Sequence, residues 1–101
     1  MATNKEIAST IIAQLGGQGR LSAMTGAKSF VAIEKGLQFK IGKNAKNVNT
    51  VRIVLTDADT YDVEFGAARG MKYTVKDSTQ GAYADMLKPL FEAATGMYLT
   101  F

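Results

Sequence analysis

This chain contains no cysteine and no histidine, and only one proline in 101 residues. Without cysteine there are no disulfides and no thiolate nucleophile. Without histidine there is no imidazole base, no Ser-His pair and no usual zinc site. Carboxylate-only catalysis and a magnesium site are the enzymatic routes left, and no residue pattern builds either of them. The expectation is a non-enzymatic protein with no catalytic residue, metal or cofactor. One proline argues against long extended linkers. No apolar run approaches the roughly 18 residues that a membrane helix needs. The opening MATNKEIAST lacks the basic-then-apolar layout of a signal peptide, so a cytoplasmic, non-membrane protein is expected.

What is present is ordinary for a globular domain, at 47% hydrophobic and 21% charged residues. At this length residues 1–101 are read as one compact domain, able to bury a core without staples. The stretch TVRIVLTDADTYDVEF, residues 50–65, organises the rest. Val51, Ile53 and Leu55 alternate with Arg52, Val54 and Thr56. Beyond Asp57-Ala58-Asp59, Tyr61, Val63 and Phe65 alternate with Asp62 and Glu64. Alternation puts successive side chains on opposite faces of a strand, so this stretch predicts a β-hairpin.

Upstream, Thr3 or Asn4 caps a helix carrying Ile7, Ile11, Ile12 and Leu15 on one face, and Gly16-Gly17 ends it. The glycine-rich segment GQGRLSAMTGA fits no phosphate-binding fingerprint and predicts a short helical turn at residues 21–24. Strands are predicted at 29–33 and 37–41, joined by Glu34-Lys35-Gly36. A loop, GKNAKNVN, follows at 42–49. Downstream, GAARG at 66–70 predicts a turn, and Met71, Tyr73 and Val75 predict a fourth or fifth strand. A break at Thr79 to Gly81 precedes a last helix with Tyr83, Met86, Leu87, Leu90, Phe91 and Ala94 on its apolar face. Pro89 should bend or restart that helix. The tail MYLTF is expected to pack back on the domain. The fold class is therefore α+β: an N-terminal helix, a four- to five-stranded antiparallel meander, and a C-terminal helix on one sheet face.

Charge is uneven. Residues 1–56 carry eight Lys/Arg against two acids, and residues 57–101 carry four against seven. In a simple meander the acidic strand with Asp62 and Glu64 lies between Lys40 and Arg52 on one side and Lys72 and Lys76 on the other. That sheet face is expected to neutralise itself and to lack outward aromatics for stacking bases. The stronger basic signal is in the loops and turn, at Lys35, Lys43 and Lys46, helped by Lys28, Lys40 and Arg52. With Asn44 and Asn47, which can hydrogen-bond phosphates or a protein backbone, they form the candidate binding set. The Asp57-Ala58-Asp59 turn lacks the ligand spacing and glycine bend of a calcium loop, so no metal is assigned to it.

The segments AMTGAK, FKIGKNAK, DTYDVEF, YADML and TGMYL together resemble a family of small, uncharacterised bacteriophage and prophage proteins. The resemblance implies a phage or mobile-element origin and expression in the bacterial host cytoplasm. It brings no catalytic residue or ligand. The leading functional expectation is an accessory protein that binds a macromolecule, nucleic acid slightly favoured, through the basic region 28–52. The alternatives are a protein–protein inhibitor of a host defence or CRISPR effector, and a minor virion or assembly protein whose strand edge mediates self-association.

Overall fold

A computed structural model describes residues 3–44 and 46–97. The chain runs α1 (Asn4–Gln14), α2 (Gln18–Thr25), β1 (Lys28–Ile33), β2 (Gly36–Lys40), β3 (Thr50–Leu55), β4 (Tyr61–Arg69), β5 (Lys72–Ala82), a 3-10 turn at Ala84–Met86, and α3 (Leu87–Thr95). The five strands form one antiparallel sheet in the order β1-β2-β3-β4-β5, the meander that the sequence predicts. Helices α1 and α3 cover one face, and the fold is α+β.

Local chemistry explains each boundary. The Thr3 hydroxyl accepts the Glu6 backbone N–H at 3.1 Å and caps α1, with the Glu6 carboxylate in the first turn. Ile7, Ile11 and Leu15 are buried, while Ile12 is only partly so. Helix α2 is longer than the predicted turn and ends at Gly26, which takes the left-handed conformation. Pro89 is the third residue of α3. It sits in the first turn, where no backbone N–H is needed, and begins a helix rather than bending one.

The core lies where the inner sheet face meets these helices. Leu37 and Phe39 of β2, Val51 and Ile53 of β3, and Val63 and Phe65 of β4 point inward and are buried. Phe91 of α3 packs on two strands at once, with ring centroids 6.4 Å from Phe39 and 6.2 Å from Phe65. A fourth ring, Phe30, stacks on Phe39 at 5.3 Å.

Three sequence expectations need correction. Segment 66–70 is not a turn: β4 continues through it to Arg69, and the chain reverses at Gly70 and Met71 between the register partners Arg69 and Lys72. Gly66 is there for space, since a Cβ would collide with the phenol of Tyr73. The expected break at Thr79 to Gly81 is a bulge inside β5, where Asp62 Oδ1 accepts the Gly81 N–H at 3.2 Å. Tyr83 and Met86 precede α3 and are exposed, so its apolar face is narrower than predicted. Of the expected C-terminal tail, Met97 packs against the core, and Tyr98 to Phe101 lie outside the described residues.

Candidate nucleic-acid interface

Strand parity decides which cations gather. Along β4, Tyr61, Val63, Phe65, Ala67 and Arg69 share the inner face, because side chains alternate. Directly opposed residues share a face, so Lys72 and Thr74, opposite Arg69 and Ala67, are inner-face residues too. Past Thr50, paired with Gly66, β3 ends and β4 pairs only with β5. The last three pairs of the β4–β5 hairpin therefore overhang the sheet. Polar and charged side chains stand there on what is elsewhere the core face.

The loop at 42–49 rises beside this overhang, and its shape comes from two asparagines. Asn44 Nδ2 donates to the Gly42 and Val48 carbonyls, while its Oδ1 accepts the backbone N–H groups of Lys46 and Val48, both at 3.1 Å. Asn49 Nδ2 donates to the Ala68 carbonyl at 2.9 Å, and its Oδ1 accepts the Ala68 N–H at 2.7 Å. The Asn49 side chain thus substitutes for a β-ladder partner and ties the loop to the hairpin two residues before its turn. Asn47, exposed and left-handed at φ 57°, faces outward between these anchors.

Three adjoining open clefts result. The first, about 410 Å³, is lined by Lys43, Asn44, Asn47 and Arg69 among others. The second shares Asn47 and Arg69 and adds Lys72, Thr74 and Lys76. The third shares Lys76 and adds Lys46, Asp77 and the Ala93-Ala94 end of α3. Five cations line this continuous surface against one carboxylate, Asp77.

The structure divides the sequence-predicted set. It brings Lys43, Asn44, Lys46 and Asn47 to the clefts, with Asn44 committed to holding the loop. It leaves the other four elsewhere. Lys35, also left-handed, donates to Asp57 Oδ1 at 3.0 Å in the β1–β2 turn, and this hydrogen bond and charge raise its pKa above the ordinary lysine value. Arg52 lies on the outer sheet face, where Nε and Nη2 donate to Gln38 Oε1 at 3.1 and 2.9 Å. Its guanidinium is 3.8 Å from Glu64 and 5.7 Å from the centre of the Tyr73 ring. Lys28 and Lys40 are register partners across β1 and β2, away from these clefts.

Sequence reasoning missed Arg69, Lys72 and Lys76, and it misread the outer face. Asp62 and Glu64 cannot neutralise Lys72 and Lys76, because the two pairs lie on opposite faces. The outer face also carries an aromatic. Tyr73 Oη donates to Glu64 Oε2 at 3.0 Å, and burial first, then that bond and charge, push its pKa up to about 12. Parity counted from Phe65 across a two-residue turn would have revealed this arrangement. The apolar alternation of Met71, Tyr73 and Val75 masked it.

Among the described residues no cluster of three or more acidic side chains is placed to hold a metal, and no helix is long and apolar enough to cross a membrane. No family model matches this chain, and no curated protein or solved structure matches it.

Proposed function

We propose that this chain is a non-enzymatic accessory protein of a phage or mobile element, working in the cytoplasm of a bacterial host. It binds nucleic acid through the cleft surface made by the 42–49 loop and the β4–β5 overhang. One observation carries this reading: Lys43, Lys46, Arg69, Lys72 and Lys76 line one continuous surface with a single carboxylate. Such a surface suits a polyanion, because each phosphate it neutralises releases condensed counterions. The basic region 28–52 contributes only its loop. Lys28, Lys35, Lys40 and Arg52 stand apart from the surface.

The test is a titration of labelled duplex DNA at several salt concentrations. With five phosphate contacts, the logarithm of the binding constant falls against log salt with a slope of roughly −4.5. Lys72→Gln with Lys76→Gln lowers that slope by about 1.8, whereas Lys35→Gln with Arg52→Gln leaves it unchanged. Absence of duplex binding at low salt overturns the reading. It would favour the inhibitor alternative, in which the same basic surface docks on an acidic protein.

A further inference from the structure

The tip of the β4–β5 hairpin has a shape that phosphate binding does not require. Met71 is fully exposed, more so than any other large apolar side chain described. Its neighbour Gly70 has φ 59°, and nothing lies within 4 Å of where its Cβ would be. A glycine with positive φ at the first of two turn residues suits a tight hairpin reversal. It also leaves the methionine as the sole side chain on the tip. Directly beneath stand the paired cations Arg69 and Lys72. The next inner-face pair, Ala67 and Thr74, is small.

The arm is also braced. Its three residue pairs beyond β3 span about 10 Å at a β-strand rise, and the two Asn49 hydrogen bonds hold it at Ala68, in the middle pair. On the outer side the Tyr73 ring lies over Gly66 and bonds Glu64, which joins the arm to the sheet. Val31, Val75, Tyr83 and Met86 are exposed too; what sets Met71 apart is its place on a stiff turn with a cation on each strand beneath it.

Building on the nucleic-acid reading above, we propose that the hairpin tip enters the minor groove of B-form DNA. Met71 then wedges between base pairs and kinks the duplex, while Arg69 and Lys72 hold flanking phosphates. The groove is about 6 Å wide and 7.5 Å deep, so the two-residue turn and the Met71 side chain enter it while the paired strands stay at its mouth. Minor-groove proteins use apolar side chains of this kind as wedges and recover the unstacking energy through added backbone contacts. Here the backbone contacts beside the tip are Lys43, Lys46 and Lys76, which line the clefts adjoining the arm. A-form RNA, with its wide and shallow minor groove, offers such a wedge no comparable slot.

The experiment uses the full chain and a duplex of about 25 base pairs with a central TA step, a flexible pyrimidine–purine step. Dyes on its two ends report bending by energy transfer. The parent protein brings the ends closer and binds a duplex with a central mismatch about tenfold more tightly than the matched one, since its unstacking cost is lower. Met71→Phe keeps both effects. Met71→Ser keeps the salt slope, because every cation remains, but loses the bend and the mismatch preference. Binding by the parent with no bend, or an equal bend by Met71→Ser, overturns the wedge and leaves the phosphate-binding surface standing. An equal distortion of duplex RNA overturns its assignment to DNA. Absence of any binding by the parent overturns the wedge together with the reading it rests on.

Discussion

The inner face of this sheet has two ends that obey one rule and reach opposite chemistry. Under α1 and α3 the inward residues are Leu37, Phe39, Val51, Ile53, Val63 and Phe65, all buried. Beyond β3, the same face of the same strands presents Arg69, Lys72 and Thr74. At the boundary β5 bulges by one residue, Lys76, and the cover ends; the alternation along β4 runs on unchanged. Where a helix lies over the sheet, each inward position is worth the transfer energy of an apolar side chain, about 1.5–3 kcal/mol when fully buried. Where nothing lies over it, that gain vanishes, and residue choice there is free to serve solubility or a partner.

The widest contrast comes from truncating a side chain that serves both strands and cover. Phe91→Ala removes a ring packed on Phe39 and Phe65 and should destabilise the fold by about 3–5 kcal/mol, read by denaturant melting. That is a large fraction of the roughly 5–15 kcal/mol typical of domains. A loss under about 1 kcal/mol would mean that α3 does not seat on the sheet as described. Next comes Gly36→Ala, which adds a methyl group against the Ile53 carbonyl and the Val54 Cα. Backbone cannot rotate away as a side chain can, so about 1–3 kcal/mol should be lost by the same measurement.

The loop offers a smaller but sharper pair. Asn44→Ala leaves two backbone N–H groups and two carbonyls without their shared partner and should cost about 1–3 kcal/mol. Asn47→Gly, at an exposed left-handed residue, should cost nothing measurable. Equal melting points for the two variants would remove the assignment of Asn44 as the loop's staple.

High pH probes the outer face. The folded Tyr73 keeps its proton up to about pH 12, against about 10 for an ordinary tyrosine. Between those values the unfolded chain binds fewer protons than the folded one, so folding stability falls as pH rises. The contribution is fully present below about pH 10 and gone above about pH 12. Tyr73→Phe should remove this part of the dependence, and tyrosinate absorbance should show one group titrating late in the parent only. Titration of that group near pH 10 would contradict the burial of Tyr73 and its contact with Glu64.

How much was legible follows the same boundary. Residues 50–65, α1 and the meander could be read because burial had written a period into them. Arg69, Lys72 and Lys76 were masked, because no helix covers the inner face there and Tyr73 turns away from the helices. There the apolar positions mark the outer face, where Tyr73 finds Gly66, Arg52 and Glu64. The loop was readable as a loop but not as a structure, since its two asparagines act through bonds to Val48 and to Ala68, the latter 19 positions away. Long-range pairing of that kind leaves no local trace.

The smallest expected change in stability tests the overhang itself. Lys72→Gln with Lys76→Gln keeps polar, unbranched side chains while removing two charges. Both residues are exposed, and neither faces Asp62 or Glu64. Surface changes of this kind usually fall within about 0.5 kcal/mol, so the double variant should melt with the parent. A self-neutralising face would give a different result, since removing cations from cross-strand pairs costs up to about 1 kcal/mol for each pair. Salt sharpens the distinction. Neutralised pairs would lose stability on screening in the parent alone, whereas mutually repelling cations would gain it. The parent should therefore become more stable relative to the variant as salt rises, by a few tenths of a kcal/mol at most, given how strongly water screens exposed charges. A shift in the opposite direction would put Lys72 and Lys76 back beside Asp62 and Glu64, and with them the parity that defines the cleft surface.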